Sequence, residues 1–227
     1  AFLGITGFFF VASVSDAFSE ASLRGFAAGA IFFMIFLSPA LTMRLLAEEQ
    51  KLGTLELLLT SPLREVEVVL GKFIASFLML MIMLSLTLYY VVVLFIFGVP
   101  DYGPLYTGYI GIMLYGATTL AVGLAASAVT SNQLVALVLG AATLTGLTAI
   151  DFVAERVSGT AAQVLNGFQL GSSFTTFDTR NFAVSQQGHF ADFSRGIISL
   201  QDILYYLGMT TVFLLVAVVL LQSRRWR

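Results

Sequence analysis

From Phe73 to Phe97 the chain runs without one charged residue, and as a helix this stretch alone would extend ~37 Å at the usual rise per residue. The hydrocarbon core of a bilayer is ~30 Å thick, so the run is a membrane span, long enough to tilt or to project beyond the lipid. Composition extends that conclusion to the whole chain. Of its residues 58% are hydrophobic and 11% charged, with a mean hydropathy of +0.94, against about a quarter charged in ordinary globular proteins. The expected fold class is an all-α polytopic membrane protein. Its 227 residues supply roughly six spans of ~20 residues with short connections, which favours a single transmembrane domain over 1–227.

The spans are drawn at residues 1–14, 26–47, 68–97, 105–130, 133–154 and 202–222. The opening AFLGITGFFFVASV would reach only ~21 Å as a helix and has no basic segment ahead of it, so it does not fit a signal peptide. It is expected to be a first span whose beginning is truncated. Pro39 inside the second span removes a backbone donor and predicts a kink. The fourth and fifth spans carry small residues at helical spacing: Ala117, Ala121 and Ala125 in one, Ala136, Gly140 and the pair Ala142 and Gly146 in the other. Small residues permit close backbone approach, the usual packing signal in lipid, so these two helices should pack tightly. The turn between them, SAVTSNQ, carries no charge.

Orientation follows from where positive residues collect, because Lys and Arg are retained in the cytoplasm. Arg44, Lys51, Arg64, Lys72, Arg224, Arg225 and Arg227 fall on one side, and Arg24, Arg156, Arg180 and Arg195 on the other. The imbalance places the stretch 44–72 and the C-terminal QSRRWR in the cytoplasm, with Trp226 at the headgroup level. On the outer side, 155–201 is long and rich in phenylalanine (Phe168, Phe174, Phe177, Phe182, Phe190, Phe193). A structureless loop of that length is unusual, which predicts short interfacial helices with the phenylalanines as membrane anchors. Ser199 and Asp202 read as an N-cap and an N3 acid at the start of the last span, followed by Tyr205 and Tyr206 at the outer interface.

The polar interruption RLLAEEQKLGTLELLLTSPLREVEVVLGK, Arg44 to Lys72, has its own pattern. Leu52, Leu55, Leu58 and Leu59 recur at helical spacing, with Glu49 and Glu56 on other faces, which describes a short amphipathic helix at the membrane surface. Gly53 and Thr54 break it, giving a hinge between Glu49 and Glu56. Ser61 and Pro62 read as N-cap and first helical residue, with Glu65 and Glu67 in the opening turn, where the helix dipole favours anions. On these residues alone, a solvated connector and a rigid docking element remain equally open.

The segment EEQKLGTLELLLTSPLREVEVVLGK resembles the connection between spans two and three in permease subunits of type-2 ABC exporters. It is most like the gliding-motility-associated permeases, in which a glutamate-rich stretch precedes G-T-x-E and a proline, with a lysine at the start of the next span. The tail GHFADFSRGIISLQDILYYL and the ending QSRRWR resemble the same family, while its N-terminal cytoplasmic helix has no counterpart here. The resemblance implies a permease of an ATP-driven exporter in a bacterial inner (plasma) membrane. It further implies coupling through Glu48, Glu49, Gly53, Thr54 and Glu56 to a cytoplasmic ABC ATPase, and pairing with a second permease chain, identical or not, among membrane lipids.

The chain itself has no G-x-x-x-x-G-K-[ST]: Gly71 and Lys72 are followed by Phe73, without the first glycine or the hydroxyl. No catalytic, cofactor-binding or metal-ligating residues are expected. The absence of cysteine excludes disulfides and thiolate chemistry, and a net charge of -2 offers no basic face for nucleic acid. His189, the single histidine, is expected to be exposed and solvated. Asp151 and Glu155 are expected near the outer interface, and Asp192 with Arg195 is spaced for a local helical ion pair. An alternative function is a structural or accessory subunit of a larger membrane complex that keeps a permease fold without transport. An intramembrane enzyme is disfavoured, because no His-Glu cluster, Ser-Lys pair or paired carboxylates fall at membrane depth.

Overall fold

A computed structural model describes residues 2–14, 24–54, 64–97, 101–150, 156, 165, 167–171, 177–178, 183–184 and 188–225. The architecture is helical: α1 Phe2–Val14, α2 Arg24–Thr42, α3 Ala47–Leu52, α4 Glu65–Phe97, α5 Tyr102–Val129, α6 Gln133–Thr148, α7 Ala191–Ser194 and α8 Leu200–Arg225. A 3-10 turn, Gly188–Phe190, leads into α7. Two residues on each side, Phe177–Asp178 and Ala183–Val184, form a small antiparallel pairing. Four segments are long and apolar enough to cross a membrane, Gly29–Leu52, Glu65–Ile96, Tyr102–Val129 and Leu200–Ser223, and α1 and α6 are shorter apolar helices.

Several expectations meet different local structure. The second span is not one helix over 26–47, because α2 ends at Thr42 and a turn over 43–46 separates it from α3. The ladder is interrupted beyond Pro39, which lies inside α2 and accepts from Met43 N at 2.8 Å. At the start of α4, Glu65 and Glu67 do occupy the first turn. There Arg64 N donates to Glu67 Oε2 at 3.1 Å, the backward half of a capping box. Ser61, Pro62, Leu55, Leu58 and Leu59 lie outside the described residues, as do Asp151, Glu155, Trp226 and most of 155–187.

The chain divides into two compact units. One contains residues 1–33, 81–115 and 145–205. Its centre is aromatic: Phe26 lies 5.7 Å from both Tyr90 and Tyr109 by ring centroids, and Phe10 stacks on Tyr90 at 5.0 Å. Tyr90 also donates to Leu3 O at 2.6 Å, which satisfies the phenol in an apolar setting. Phe190 and Phe193 are fully buried, and a Cβ on Gly111 would come within 2.8–2.9 Å of them. They are therefore packed against α5 and are not membrane anchors, whereas Phe168 is half-exposed. Thr107 Oγ1 donates to Phe193 O at 2.6 Å, and at Gly196, with φ 88°, an added Cβ would lie 3.2 Å from Pro104.

His189 in this unit is not solvated. Its Nδ1 lies 2.6 Å from Asp202 Oδ1 and its ring stacks on Tyr205 at 3.9 Å. Asp202 does sit in the first turn of α8. Tyr206 is fully buried and so does not mark an interface with lipid headgroups. The Asp192–Arg195 pair forms at 4.0 Å, exposed and local.

The other unit contains residues 34–80, 116–144 and 206–227. Gly123 and Gly140 seat Pro39: an added Cβ would meet Pro39 Cα at 3.1 Å from the first and Pro39 Cβ at 3.0 Å from the second. Gly140 also approaches Ala126, so α6 comes close to α5 at Gly140, and Ala136 on the same helix is buried. Ala142 and Gly146 instead fall on the exposed side of α6. Hydroxyls join the helices. Ser38 and Thr119 are 2.8 Å apart, and Thr118 bonds both Thr210 Oγ1 and Tyr206 O at 3.1 Å. Such bonds average roughly 0.6 kcal/mol each between membrane helices, so they fix register more than they supply stability.

Candidate functional site

The chemistry-bearing side chains collect where α3 meets the start of α4 and the end of α5. All of them belong to the second unit. An apolar floor lies beneath them: Leu46, Val69, Leu124, Ala125, Ala128, Ala217, Val218 and Leu221 form one buried cluster. Leu46 and Ala47, at the beginning of α3, have no exposed surface.

Ser127, fully buried near the end of α5, faces the interruption between α2 and α3. Its Oγ accepts from Leu46 N at 3.2 Å and from Ala47 N at 3.0 Å, and donates to Met43 O at 3.0 Å. One hydroxyl offers one donor and two acceptor sites, so all its capacity is used. Gln50 Nε2 adds a bond to Ala128 O at 3.0 Å.

Lys72 closes the polar stretch in sequence and folds back onto its beginning. Its Nζ lies 2.5 Å from Glu49 Oε1 and donates to Leu45 O at 2.6 Å. The ammonium thus meets both a carboxylate and a main-chain carbonyl left free by the turn. The pair keeps partial access to water, with 18% and 32% of the two side chains exposed. Its direct contribution to stability is therefore of order 1 kcal/mol or less. Glu49 Oε2 is buried and has no hydrogen-bond partner among the described residues.

The expected coupling residues separate into two groups. Glu49 is held inward by Lys72, and Glu48 is half-buried with its N donating to Arg44 O at 3.3 Å. Gly53 and Thr54 are exposed at the far end of α3. Gly53 terminates the helix with φ 71° and ψ 2°, its N–H returning to Gln50 O, the left-handed cap that glycine adopts without steric cost. Thr54 Oγ1 donates to Glu49 O at 3.4 Å. Glu56 lies outside the described residues. α3 is thus pinned on one side by Ser127, Gln50 and Lys72, while Lys51, Leu52, Gly53 and Thr54 are all exposed.

Ser127 and Gln50 were not legible as site residues in sequence. A serine among alanines before an uncharged turn looks like packing, and nothing local connects it to residues 80 positions earlier. Among the described residues, no group of three or more His, Asp or Glu side chains could hold a metal ion.

A family model described as ABC-2 family transporter protein matches residues 7–226. No curated protein matches the chain.

Proposed function

The chain belongs to the ABC-2 transporter family, and on that footing we propose that it is the permease subunit of an ATP-driven exporter, coupled through α3 to a separate ATPase subunit. It is an integral membrane protein, with four helices long and apolar enough to span the bilayer. Counted with the two shorter apolar helices, the chain crosses six times, with Arg44 to Lys72 in the cytoplasm and interfacial helices in that stretch and ahead of α8. The kinship to gliding-motility-associated permeases, the outward direction and a bacterial inner membrane belong to the same proposal. So do a second permease chain and a lipid surround. The chain does no covalent chemistry, and ATP hydrolysis falls to the partner.

One observation carries this reading. α3 is a six-residue helix whose buried side is fixed by hydrogen bonds to α5 and by Lys72, while its last two residues and the following Gly53 and Thr54 are open to water. A connector that only returned the chain to the membrane would not need such fixation. An element on which another protein pushes must not yield locally, or its displacement is absorbed before it reaches the spans. A transporter also needs contacts that differ between two states, and an exposed tip on a fixed base can meet a moving partner.

The test is purification of the full chain from its native membrane in mild detergent, followed by ATPase assays in lipid. A nucleotide-binding subunit is expected to accompany it, with hydrolysis that responds to Glu48→Lys and Glu56→Lys. Absence of such a subunit, or hydrolysis indifferent to both changes, would overturn the proposal in favour of a non-transporting membrane subunit.

A further inference from the structure

We propose that Ser127 is a positioning residue of the coupling path: it splices α3 onto α5, so that movement of α3 is carried into α5 before it reaches α2. The inference rests on the coupling role given to α3 above.

In sequence α3 follows α2 directly, and the shortest mechanical route from α3 would run back along the chain. The hydrogen bonds interrupt that route. In an unbroken α-helix Ala47 N would donate to Met43 O and Leu46 N to Thr42 O. Here Thr42 O is taken by Leu45 N at 3.0 Å. The Ala47 amide and the Met43 carbonyl are instead bridged by the Ser127 hydroxyl, which accepts from the one and donates to the other, and the Leu46 amide is accepted there too. A side chain inserted into the i→i−4 ladder is a recognised cause of a helix break. In this case the inserted group comes from another helix and saturates its own bonding capacity.

The consequence is directional. α3 starts on amides held by α5, is tied again by Gln50 to Ala128 O, and buries Leu46 beside Leu124, Ala125 and Ala128. Its links to α4 run through side chains: Lys72, which reaches Leu45 O and Glu49, and Val69, which shares the buried cluster with Leu46. Its link to α2 lacks the regular bonds at 46 and 47. Thr118 and Thr119 then extend the α5 connection to Thr210 on α8 and Ser38 on α2. A displacement of α3 therefore enters α5 first and is distributed from there.

The experiment uses the full chain with its ATPase subunit in nanodiscs and spin-label distances between exposed positions. One pair, Lys51→Cys with Ser131→Cys, reports α3 against the end of α5. Another, Lys51→Cys with Phe36→Cys, reports α3 against α2. On adding ATP under non-hydrolysing conditions, the first distance should stay fixed and narrow while the second shifts. Ser127→Ala should broaden the first distribution, and Ser127→Thr, which keeps the hydroxyl, should leave it narrow. A first distance that moves as far as the second in the unaltered protein overturns the splice, as does a Ser127→Ala distribution as narrow as the original. If Ser127→Ala does not fold, the nucleotide comparison decides alone. If nucleotide moves neither pair although the ATPase is bound, the coupling role of α3 fails and the splice falls with it. A first distance that moves while hydrolysis stays sensitive to Glu48→Lys overturns the splice and leaves the coupling role standing.

Discussion

Lys72 Nζ lies 2.5 Å from Glu49 Oε1, across 23 residues of chain, and the same ammonium caps the carbonyl of Leu45. The two bonds have different requirements. The carbonyl accepts from any cation at that place, whereas the carboxylate also needs its charge matched, because its other oxygen is buried without a hydrogen-bond partner among the described residues.

This asymmetry predicts that exchanging the charges will not restore the site. Lys72→Glu with Glu49→Lys keeps an ion pair on paper but sets a carboxylate against the Leu45 carbonyl. Glu49→Gln should be mild, since Lys72 keeps Leu45 O and gains an amide oxygen. Lys72→Met should cost about 1 kcal/mol, a drop of roughly 2–4 °C in Tm for a chain of this size. The double exchange should be worse than Lys72→Met. Thermal unfolding in detergent, followed by size-exclusion chromatography, ranks the variants.

Gly123 should be the least tolerant of the glycines along α5 in the second unit. A methyl there would overlap Thr42 Oγ1 and press on Pro39 backbone at 3.1 Å, and the backbone cannot rotate aside. Overpacking of this kind typically costs about 1–3 kcal/mol. Gly123→Ala with Thr42→Ala should recover only part, because the Pro39 contact remains. Gly146→Ala meets nothing within 4 Å and should be neutral or slightly stabilising by helix propensity. Equal losses at both positions, measured by thermal unfolding, would show that Pro39 is not seated where described.

His189 tests how the segment before α8 is held. With its ring on Tyr205 and its Nδ1 on Asp202, His189→Ala removes both contacts and leaves Asp202, only 6% exposed, without that partner. A loss of about 1–3 kcal/mol in local stability is expected. It should be read as faster amide exchange over 191–197, where Asp192 O receives Arg195 N and Ile197 N. His189→Gln keeps a polar group near Asp202 and should lose less. Unchanged exchange in His189→Ala would mean that α7 is held without His189, by Phe190, Phe193 and the Thr107 bond to Phe193 O.

These residues mark where sequence stops informing. The apolar runs of α4, α5 and α8 and the polar stretch between Arg44 and Lys72 are set by composition over many residues, so they are readable within a few positions. The break after Thr42, the pairing of His189 and the burial of Phe190 and Phe193 each depend on one partner outside the local segment: Ser127, Asp202 and Gly111. A phenylalanine facing lipid and one facing a glycine notch are the same letter. Gly53 was readable because its requirement is local: a helix end, a left-handed residue and no side chain.

That locality makes Gly53 the sharpest probe of the tip of α3. An added Cβ there meets nothing within 4 Å, and the cost of replacement is conformational, set by φ 71°. Asparagine tolerates the left-handed region, alanine loses roughly 1–2 kcal/mol there, and a β-branched residue is worse. Gly53→Val should therefore unwind or redirect the chain after Leu52 while the buried base at Leu46 and Ala47 stays in place. Global stability should fall little in Gly53→Asn and modestly in Gly53→Val. Hydrolysis by the partner ATPase should remain coupled in Gly53→Asn and become uncoupled in Gly53→Val. Assayed side by side in proteoliposomes, the two variants separate the tip's direction from its chemistry, because both add side-chain bulk at an open position and only one resists the cap geometry. Equal coupling in both would mean that the partner does not depend on the direction in which the chain leaves α3.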